Sequence, residues 1–377
     1  MPMWLKVIVW GVALVLVVGG AAAAYAWYRI RNLPDTRDLA QRVDKAATEA
    51  LQEADLGTVA VAVLRDGRTH VRRFGSQAGA PTDTVRFEIG SITKVFTAIA
   101  AHRLVGQGAW QWSTPIWPLL PPTQRPPVDD GTTLEMLATH TSGLPRLPES
   151  WFARIDATDD PYASITANDV LAAYASGEGR TSWRKAKVDY SNLGFGLLGV
   201  LLERQANEPY DALVQRLVLQ PLGMKNTSIA LNEHEASQLA TGRDESGKPT
   251  PPWSFDAMAG AGAYRSTIED MARFLQAAAE RTPMPAFDWS EMWAPRKVAS
   301  GESAALGWQL DDLTGRLVGI RRIVWHNGGT GGFSSWMGFD PERRIGVVVL
   351  ASRSSSEVVD ELGMHLLYMT SHTSFAP

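Results

Sequence analysis

Segments with strand-forming patterns stand at both ends of this chain, and this placement constrains the fold more than any other feature. Near the amino end, residues 58–64 and 68–74 flank Asp66-Gly67, a dipeptide typical of tight β-hairpin turns. Near the carboxyl end, three further strand-like segments follow one another: residues 322–326, 335–340 and 345–351. Because strands must pair to satisfy their backbone groups, we predict one antiparallel sheet assembled from both ends of the chain.

Helical periodicity and loops fill the stretch between the two strand groups. Outside it, amphipathic helices are predicted over residues 38–54 and 358–369. Within it, one helix is predicted to begin with a capping box formed by Ser266 and Glu269. The sequence therefore predicts an α+β fold in which helices flank the sheet and an all-helical subdomain, about residues 95–310, is inserted in the middle. We expect a cleft between that insertion and the sheet.

The composition excludes several classes of protein. The 377-residue chain has no cysteine, so disulfides, thiolate nucleophiles and cysteine-ligated zinc are impossible. Its formal net charge is -4 and its Lys and Arg residues are scattered, so it presents no basic field for nucleic acid. The seven histidines show no spacing of metal ligands. We therefore expect no nucleic-acid partner, no metal site and no other cofactor.

An uninterrupted apolar run over residues 7–28 is long enough to cross a bilayer. It ends in aromatic residues followed by arginines, an arrangement typical of a membrane interface, and this favours an uncleaved anchor. Small residues at 21–24 leave a cleaved signal peptide as the alternative. We assign residues 1–37 to this anchor or signal segment and residues 38–377 to a single domain.

The motif Ser91-x-x-Lys94 directly precedes residues 95–105, an almost wholly apolar stretch that predicts a buried helix. A serine at the amino end of a helix lies among unpaired backbone N–H groups and the positive end of the helix dipole, which favour an alkoxide or oxyanion. The spacing of three residues places the Lys94 amine on the same face as the Ser91 hydroxyl. Ser91 is therefore a candidate nucleophile with a base within reach.

A second Ser-x-x-Lys motif occurs at Ser182-x-x-Lys185. The spacing alone is expected about once by chance in a chain of this length. This copy lies in a polar, basic stretch with no apolar helix behind it, so we interpret it as structural.

Two further motifs supply partners for Ser91. Tyr190-x-Asn192 precedes a predicted apolar helix, where Tyr190 could relay protons and Asn192 could orient the lysine and an amide group of a substrate. His326-x-Gly328-Gly329 ends a predicted strand, and its glycines let a substrate backbone lie close along the sheet edge. A flexible turn is the alternative interpretation of these glycines.

Together and in this order, the three motifs resemble the active-site triplet of serine β-lactamases and penicillin-binding proteins. The likeness is strongest to the branch of class C β-lactamases and D-alanyl-D-alanine carboxypeptidases, and it extends over about residues 56–367. The stretches that carry it beyond the triplet are residues 137–145, 221–224, 260–275, 306–308 and 328–351.

The resemblance implies a role for each matching residue. Ser91 would be the acylated nucleophile, Lys94 its partner and Tyr190 a proton shuttle. Asn192 would bind the lysine and the substrate amide, and His326 and Gly328 would belong to the substrate-binding strand. The backbone N–H groups of Ser91 and Gly329 would form the oxyanion hole.

Lys94 and Tyr190 compete for the role of general base. Both have reference pKa values near 10, so either needs its pKa lowered by about three pH units, roughly 4 kcal/mol, to be substantially deprotonated at neutral pH. Burial lowers the pKa of a lysine and raises that of a tyrosine, whereas a neighbouring cation lowers both. The sequence assigns the role to neither residue alone, and we expect the pair to titrate as one coupled unit.

Two departures from the family pattern bear on the substrate, and the first concerns its carboxylate. Class C β-lactamases usually have a charged lysine where this chain has His326, which is mostly neutral at pH 7 with a reference pKa near 6.5. Arg321 or Arg322 could supply the missing charge, the alternative being solvated strand ends. The glutamine that often follows the Leu-Gly-Leu-Pro-like turn is also absent, since Arg146 and Leu147 stand there. These departures argue against efficient cephalosporinase activity.

The expected function is hydrolysis of β-lactams or D-alanyl peptides of the cell wall through a Ser91 acyl-enzyme. A carboxylesterase with the same machinery is one alternative, and a penicillin-binding sensor or scaffold that acylates without deacylating is another. The expected location is a membrane-anchored domain facing the periplasm or cell exterior, or a secreted domain after signal cleavage. The natural substrate and the oligomeric state stay open, because a fold and a nucleophile fix neither.

Overall fold

Six strands form the central sheet of the protein. The computed structural model describes residues 38–77, 79, 84–181, 187–317 and 319–375. The sheet consists of β1 Thr58–Arg65, β2 Arg68–Gly75, β7 Gln309–Asp311, β8 Ile323–Gly329, β9 Ser334–Asp340 and β10 Ile345–Ala351. Two short pairs lie outside it, β3 Arg86–Glu88 with β4 Arg265–Thr267 and β5 Arg296–Lys297 with β6 Ser303–Ala304.

The strand order is β2-β1-β10-β9-β8-β7, and every neighbouring pair is antiparallel. The first strands of the chain therefore pair with the last, which confirms the predicted α+β fold with a sheet built from both chain ends. Arg65 pairs with Arg68, so Asp66 and Gly67 form the predicted two-residue hairpin turn.

Most helices lie between the two strand groups. They are α1 Leu39–Ala54, α2 Thr93–Gly106, α3 Leu134–Ala138, α4 Phe152–Ile155, α5 Ala167–Ser176, α6 Asn192–Ala206, α7 Tyr210–Val214, α8 Glu233–Ser237, α9 Ala259–Gly262, α10 Ile268–Glu280, α11 Trp289–Met292, α12 Leu313–Leu317 and α13 Ser356–His372. Shorter turns of 3₁₀ type are Gly90–Ile92, Trp117–Leu119, Pro122–Gln124 and Glu149–Trp151, and α7 continues into a π-helical turn, Gln215–Leu219.

The central strands separate two hydrophobic cores, because successive side chains of a strand point to opposite faces. One core lies beneath α1 and α13 and takes Val59, Val61 and Val63 from β1. The other extends beneath α10 into the helical region and takes the alternate residues of the same strand. With both faces covered, β10 is buried along its whole length. This explains why its sequence is continuously apolar.

The predicted capping box at Ser266 and Glu269 is wrong by one residue. Thr267 caps α10, and its hydroxyl accepts a hydrogen bond from the N–H of Asp270 over 3.3 Å. Ser266 belongs to β4 instead, where it pairs with Phe87. Ser266 and Thr267 both have a hydroxyl that could cap the helix, and the pairing of β4 decides between them.

None of the helices in the described ranges is both long and apolar enough to cross a membrane. The apolar run at residues 7–28 and the second Ser-x-x-Lys motif at 182–185 lie outside the described residues.

Candidate active site

Ser91 lies on the 3₁₀ turn Gly90–Ile92, where β3 runs into α2. The helix that follows is buried from Thr93 to Leu104, in agreement with the predicted buried helix. Ser91 itself is partly exposed. Ser91 therefore lies on a 3₁₀ turn at the amino end of the helix, two positions before the first α-helical residue.

The backbone of β8 packs directly against this turn. A side chain at Gly328 would place its Cβ 2.1 Å from the carbonyl oxygen of Ile89, and one at Gly90 would lie 2.7 Å from the backbone nitrogen of Gly329. Such distances admit only glycine. The Ser335 hydroxyl on β9 donates a hydrogen bond to the same Ile89 carbonyl over 2.9 Å. These contacts hold the end of β8 beside the turn.

The amine of Lys94 contacts Ser91 from the protein interior. Its Nζ lies 2.9 Å from the Ser91 Oγ and donates a hydrogen bond to the Ala261 carbonyl on α9 over 2.6 Å. The side chain is fully buried. Burial lowers the pKa of Lys94 well below its ordinary value, and the positive charge of Arg146 lowers it further. An amine in this state can accept a proton from a neighbouring hydroxyl.

Tyr190 contacts the same serine through its phenol. Its phenol is hydrogen-bonded to Ser91. Its ring stacks on His140 with centroids 4.4 Å apart, and the Lys94 Nζ lies 4.9 Å from the ring centroid. Burial raises the pKa of Tyr190 to about 12, against the smaller opposing effects of the Ser91 hydrogen bond and the Arg146 charge. The phenol therefore keeps its proton at neutral pH.

The two candidate bases are thus separated by their surroundings. Burial disfavours the charged form of each group, so it pushes the pKa of Lys94 down and that of Tyr190 up. Lys94 is therefore the better proton acceptor and Tyr190 the better donor. The choice between these two residues as the general base depends on their burial, so the sequence alone left it open.

Asn192 is the first residue of α6 and is buried. Its Nδ2 donates a hydrogen bond to the phenol oxygen of Tyr162 over 3.2 Å. Its Oδ1 is buried and has no hydrogen-bond partner in the described part of the chain. The predicted contact of Asn192 with Lys94 is not formed there, because the lysine amine is bound to Ser91 and Ala261. An unpaired buried oxygen of this kind can accept the N–H of a bound molecule.

His326 lies on β8 and is 1% exposed. Its Nδ1 lies 2.6 Å from the Asn327 carbonyl oxygen. A carbonyl only accepts, so Nδ1 carries the proton and Nε2 holds a lone pair. That Nε2 is buried and has no partner among the described residues. Burial lowers the pKa of His326 to about 3, and the Lys94 charge acts in the same direction. The imidazole is therefore a neutral hydrogen-bond acceptor at pH 7.

Arg321 and Arg322 do not supply a charge to the site. They precede β8 at the end opposite Gly329. Arg322 binds Asp312 over 2.6 Å and Arg321 binds Glu342 over 2.9 Å. These ion pairs fit the alternative interpretation, in which the two arginines are strand-end residues.

Four residues that surround the site were given no role from the sequence. His140 stacks on Tyr190 and accepts the Ser191 N–H at Nδ1 over 3.0 Å. The guanidinium carbon of Arg146 lies 5.3 Å from the Tyr190 ring centroid. The other two are Tyr162 and Ala261, described above. The family-like stretches 137–145 and 260–275 include His140 and Ala261, whereas the hydroxyl of Tyr162 carries no sequence signal.

Comparison with known proteins gives related enzymes over most of the chain. The sequence model of the family described as Beta-lactamase matches residues 43–367. A beta-lactamase of Pseudomonas fluorescens is 26% identical over 354 residues, covering 84% of this chain and 94% of that protein. The D-alanyl-D-alanine-carboxypeptidase/endopeptidase AmpH of Escherichia coli (strain K12) is 28% identical over 337 residues, covering 83% of this chain and 83% of that protein.

Solved structures share the fold. A beta-lactamase/D-alanine carboxypeptidase from Pseudomonas syringae has a TM-score of 0.75 at 21% identity, covering 89% of this chain and 99% of that one. The octameric penicillin-binding protein homologue from Pyrococcus abyssi has a TM-score of 0.72 at 24% identity, covering 89% and 78%. Since the family match spans well over half of the residues, this chain belongs to the Beta-lactamase family, within the superfamily of serine β-lactamases and penicillin-binding proteins.

Proposed function

We propose that this protein is a serine hydrolase that acylates Ser91 and hydrolyses the amide bond of β-lactams or D-alanyl peptides, in the manner of class C β-lactamases. The observation that carries the proposal is the buried Lys94 amine, which lies 2.9 Å from the Ser91 Oγ. Burial lowers the pKa of this amine well below its ordinary value, as a general base requires. The names of the two relatives, a beta-lactamase and a carboxypeptidase/endopeptidase, support the two substrate classes.

In acylation, the Ser91 oxygen bonds to the scissile carbonyl carbon while its proton moves to the Lys94 amine. The carbonyl oxygen becomes an oxyanion, which the N–H groups of Ser91 and Gly329 stabilise; one such donor is worth about 3 kcal/mol of barrier. Tyr190, protonated because burial raises its pKa to about 12, donates its proton to the leaving nitrogen as the carbon–nitrogen bond breaks. The Lys94 ammonium then returns a proton to the phenolate.

In deacylation, a water molecule attacks the ester carbonyl and gives its proton to the Lys94–Tyr190 pair. The carbon–oxygen bond to Ser91 breaks, and the serine oxygen regains a proton. The unpaired Oδ1 of Asn192 would accept the amide N–H on the acyl side of the substrate. Gly328 keeps β8 close enough to Ser91 for both oxyanion donors to act together.

A carboxylesterase is the second candidate, and His326 favours it. Its buried Nε2 is a neutral acceptor, whereas a substrate carboxylate at this position would require a donor or a cation. Ester substrates without a carboxylate need neither. The same acylation steps apply to an ester, with an alcohol oxygen as the leaving atom.

We also propose that residues 7–28 anchor the protein in a membrane, with the catalytic domain facing the periplasm or cell exterior. The support is the apolar length of this run and its aromatic and basic flank. Signal cleavage followed by secretion is the alternative. Fractionation of membranes followed by alkaline extraction distinguishes the two, since only an uncleaved span stays in the membrane.

Intact-mass spectrometry after mixing with a penicillin tests the proposal. Wild-type protein should gain one acyl adduct that decays with turnover, Ser91→Ala should gain none, and Ser182→Ala should behave as wild type. An adduct that persists indefinitely indicates the sensor or scaffold alternative. Turnover of p-nitrophenyl esters without turnover of nitrocefin or a D-alanyl-D-alanine tripeptide leaves the carboxylesterase. Equal labelling of Ser91→Ala and wild type overturns the nucleophile assignment.

A further inference from the structure

The amine of Lys94 takes its second hydrogen bond from a short backbone segment, residues 259–264, which consists of α9 and the two residues after it. The Ala261 carbonyl in this segment accepts the amine over 2.6 Å. A neutral amine has two N–H groups and one lone pair. Because one N–H is directed to Ala261, the lone pair is free to face the Ser91 hydroxyl, whose oxygen lies 2.9 Å away. The position of this carbonyl therefore decides how well Lys94 can accept the serine proton.

Two threonines of α2 hold the segment on either side of Ala261. Both side chains are fully buried, and their spacing of four residues places them on the same face of the helix. The Thr97 hydroxyl donates to the Gly260 carbonyl over 2.7 Å, and the Thr93 hydroxyl accepts the Tyr264 N–H over 3.1 Å. These two threonines are called the threonine clamp below. They bind the segment to the same helix that carries the base.

A tyrosine fixes the direction in which the Thr97 hydroxyl points. The phenol oxygen of Tyr210 lies 2.7 Å from the Thr97 Oγ1. A carbonyl only accepts, so the single Thr97 proton goes to Gly260 and the Tyr210 hydroxyl is the donor to Thr97. Tyr210 is buried, and burial raises its pKa, so it keeps this proton. A chain of hydrogen bonds therefore runs from Tyr210 through Thr97 to Gly260 and satisfies all three groups.

The segment is held closely on its other sides as well. The Tyr264 carbonyl accepts the Ile89 N–H over 3.0 Å, just before the turn that carries Ser91. A Cβ at Gly260 would lie 2.6 Å from the Phe195 carbonyl oxygen on α6, so α9 packs at a distance that only glycine allows. A helix of four residues is not stable by itself. Its position beside Lys94 is therefore set by these contacts.

We infer that Thr93 and Thr97 are positioning residues, which act through the Ala261 carbonyl to keep the lone pair of Lys94 directed at Ser91. This inference rests on the proposed acylation of Ser91 with Lys94 as its base. It gives a role to two polar side chains that lie fully buried in the otherwise apolar face of α2. When the clamp is broken, the carbonyl moves away from the amine and the base loses its orientation.

Thr97→Val tests the clamp, because valine keeps the shape of threonine and lacks the hydroxyl. It leaves the Gly260 carbonyl and the Tyr210 phenol unpaired, so α9 should shift until these groups find other partners. The maximal rate of acylation by a penicillin should fall roughly ten- to a hundredfold, since a misplacement of about 1 Å at a reacting group costs about a hundredfold. The penicillin concentration that gives half of this rate should change little. Thr97→Ser retains the hydroxyl and should stay within about threefold of wild type.

The pH dependence of acylation separates positioning of Lys94 from a general loss of packing. A carbonyl stabilises an ammonium more than a neutral amine, so loss of the Ala261 bond should lower the pKa of Lys94 further. The pH below which acylation slows should therefore shift down by about one unit in Thr97→Val. The other charged or titratable groups around Lys94 are unchanged in this variant: Tyr190, His140, His326 and Arg146.

Thr370→Val is the matched control. Thr370 is also a fully buried helical threonine, and its hydroxyl donates to the Leu366 carbonyl over 2.6 Å. It lies on α13, where its own carbonyl accepts the Arg65 guanidinium beside the β1–β2 turn. This variant should lose stability and keep both the wild-type acylation rate and the wild-type pH profile.

Labelling by a fluorophosphonate separates this inference from the proposed function, because this reagent reacts with activated serines whatever their natural substrate. Wild-type protein that is labelled by the fluorophosphonate and not by penicillin contradicts the proposed substrates, and the variants are then compared with the fluorophosphonate. Wild-type protein that reacts with neither reagent overturns both the function and the inference.

Two results would overturn the inference alone. One is a Thr97→Val protein that reacts at the wild-type rate or slows with an unshifted pH profile, and the other is an equal slowing in Thr370→Val. Thermal unfolding identifies a loss that comes from misfolding. If Thr97→Val does not fold, Thr93→Val removes the other hydroxyl of the clamp and should give the same slowing and the same shift.

Discussion

Replacing Gly328 with alanine should disable the site while leaving the fold intact. The new Cβ would lie 2.1 Å from the Ile89 carbonyl oxygen, 2.6 Å from the Ser335 Oγ and 2.9 Å from the Ser91 backbone nitrogen. Contacts shorter than 3.0 Å are essentially never seen for real Cβ atoms, so β8 and the turn that carries Ser91 must separate by about 1 Å.

The size of the effect follows from this displacement. Overpacking of a close contact costs about 1–3 kcal/mol of stability, which a domain with two large cores survives. A displacement of about 1 Å between reacting groups costs about a hundredfold in rate. Gly328→Ala should therefore lower the acylation kcat/KM about a hundredfold, with a melting temperature reduced by only a few degrees.

Steady-state hydrolysis of a chromogenic acyl substrate and a thermal unfolding curve measure the two effects on the same preparation. Gly79→Ala is the matched control, because no atom of the described residues, its chain neighbours aside, lies within 4 Å of the methyl group it adds. Activity of Gly328→Ala within about threefold of wild type would refute the reasoning. So would a loss of activity that merely follows unfolding at the assay temperature.

Further expected outcomes concern the titrating groups. Lys94→Met removes the amine that accepts the Ser91 proton, so acylation should slow about 10²- to 10⁴-fold at neutral pH; a penicillin adduct that forms at the wild-type rate would exclude Lys94 as the base. Burial lowers the pKa of His326 to about 3, so below pH about 6.5 the unfolded chain binds a proton that the folded site does not. As the pH falls below about 6.5, this residue should therefore lower the free energy of unfolding by up to about 1.4 kcal/mol per pH unit. Denaturant titrations of His326→Gln should lack this contribution to the pH dependence. An identical slope in wild type and variant would contradict the buried neutral imidazole.

The strands and flanking helices could be predicted because their patterns are local. The hairpin at Asp66-Gly67 and the continuous apolar run of β10 follow from turn chemistry and from burial of both strand faces. The cap of α10 could not be fixed, because Ser266 and Thr267 are both suitable and the pairing of β4 decides between them.

The candidate site was predicted less completely than the fold. Motif order placed Ser91, Lys94 and Tyr190 together, and the structure brings these three side chains into contact. The choice between lysine and tyrosine as base required knowledge of burial, which spacing does not give. Arg146 and Tyr162 reach the site through loops whose position depends on long-range packing. Sequence periodicity therefore does not predict that these two residues lie in the site.

The pairing of β1 with β10 also governs when this protein can fold during its synthesis. The Thr58 N–H donates to the Ser352 hydroxyl across 294 positions of sequence. Until the carboxyl-terminal strands leave the ribosome, β1 and β2 form only a two-stranded ribbon, which is marginally stable in water and has an unpaired apolar edge. At about 5–20 residues per second this interval lasts roughly 15–60 s. A nascent chain of this fold therefore leaves that apolar edge unpaired for most of its translation, and truncation before residue 345 leaves the amino-terminal ribbon without a partner strand.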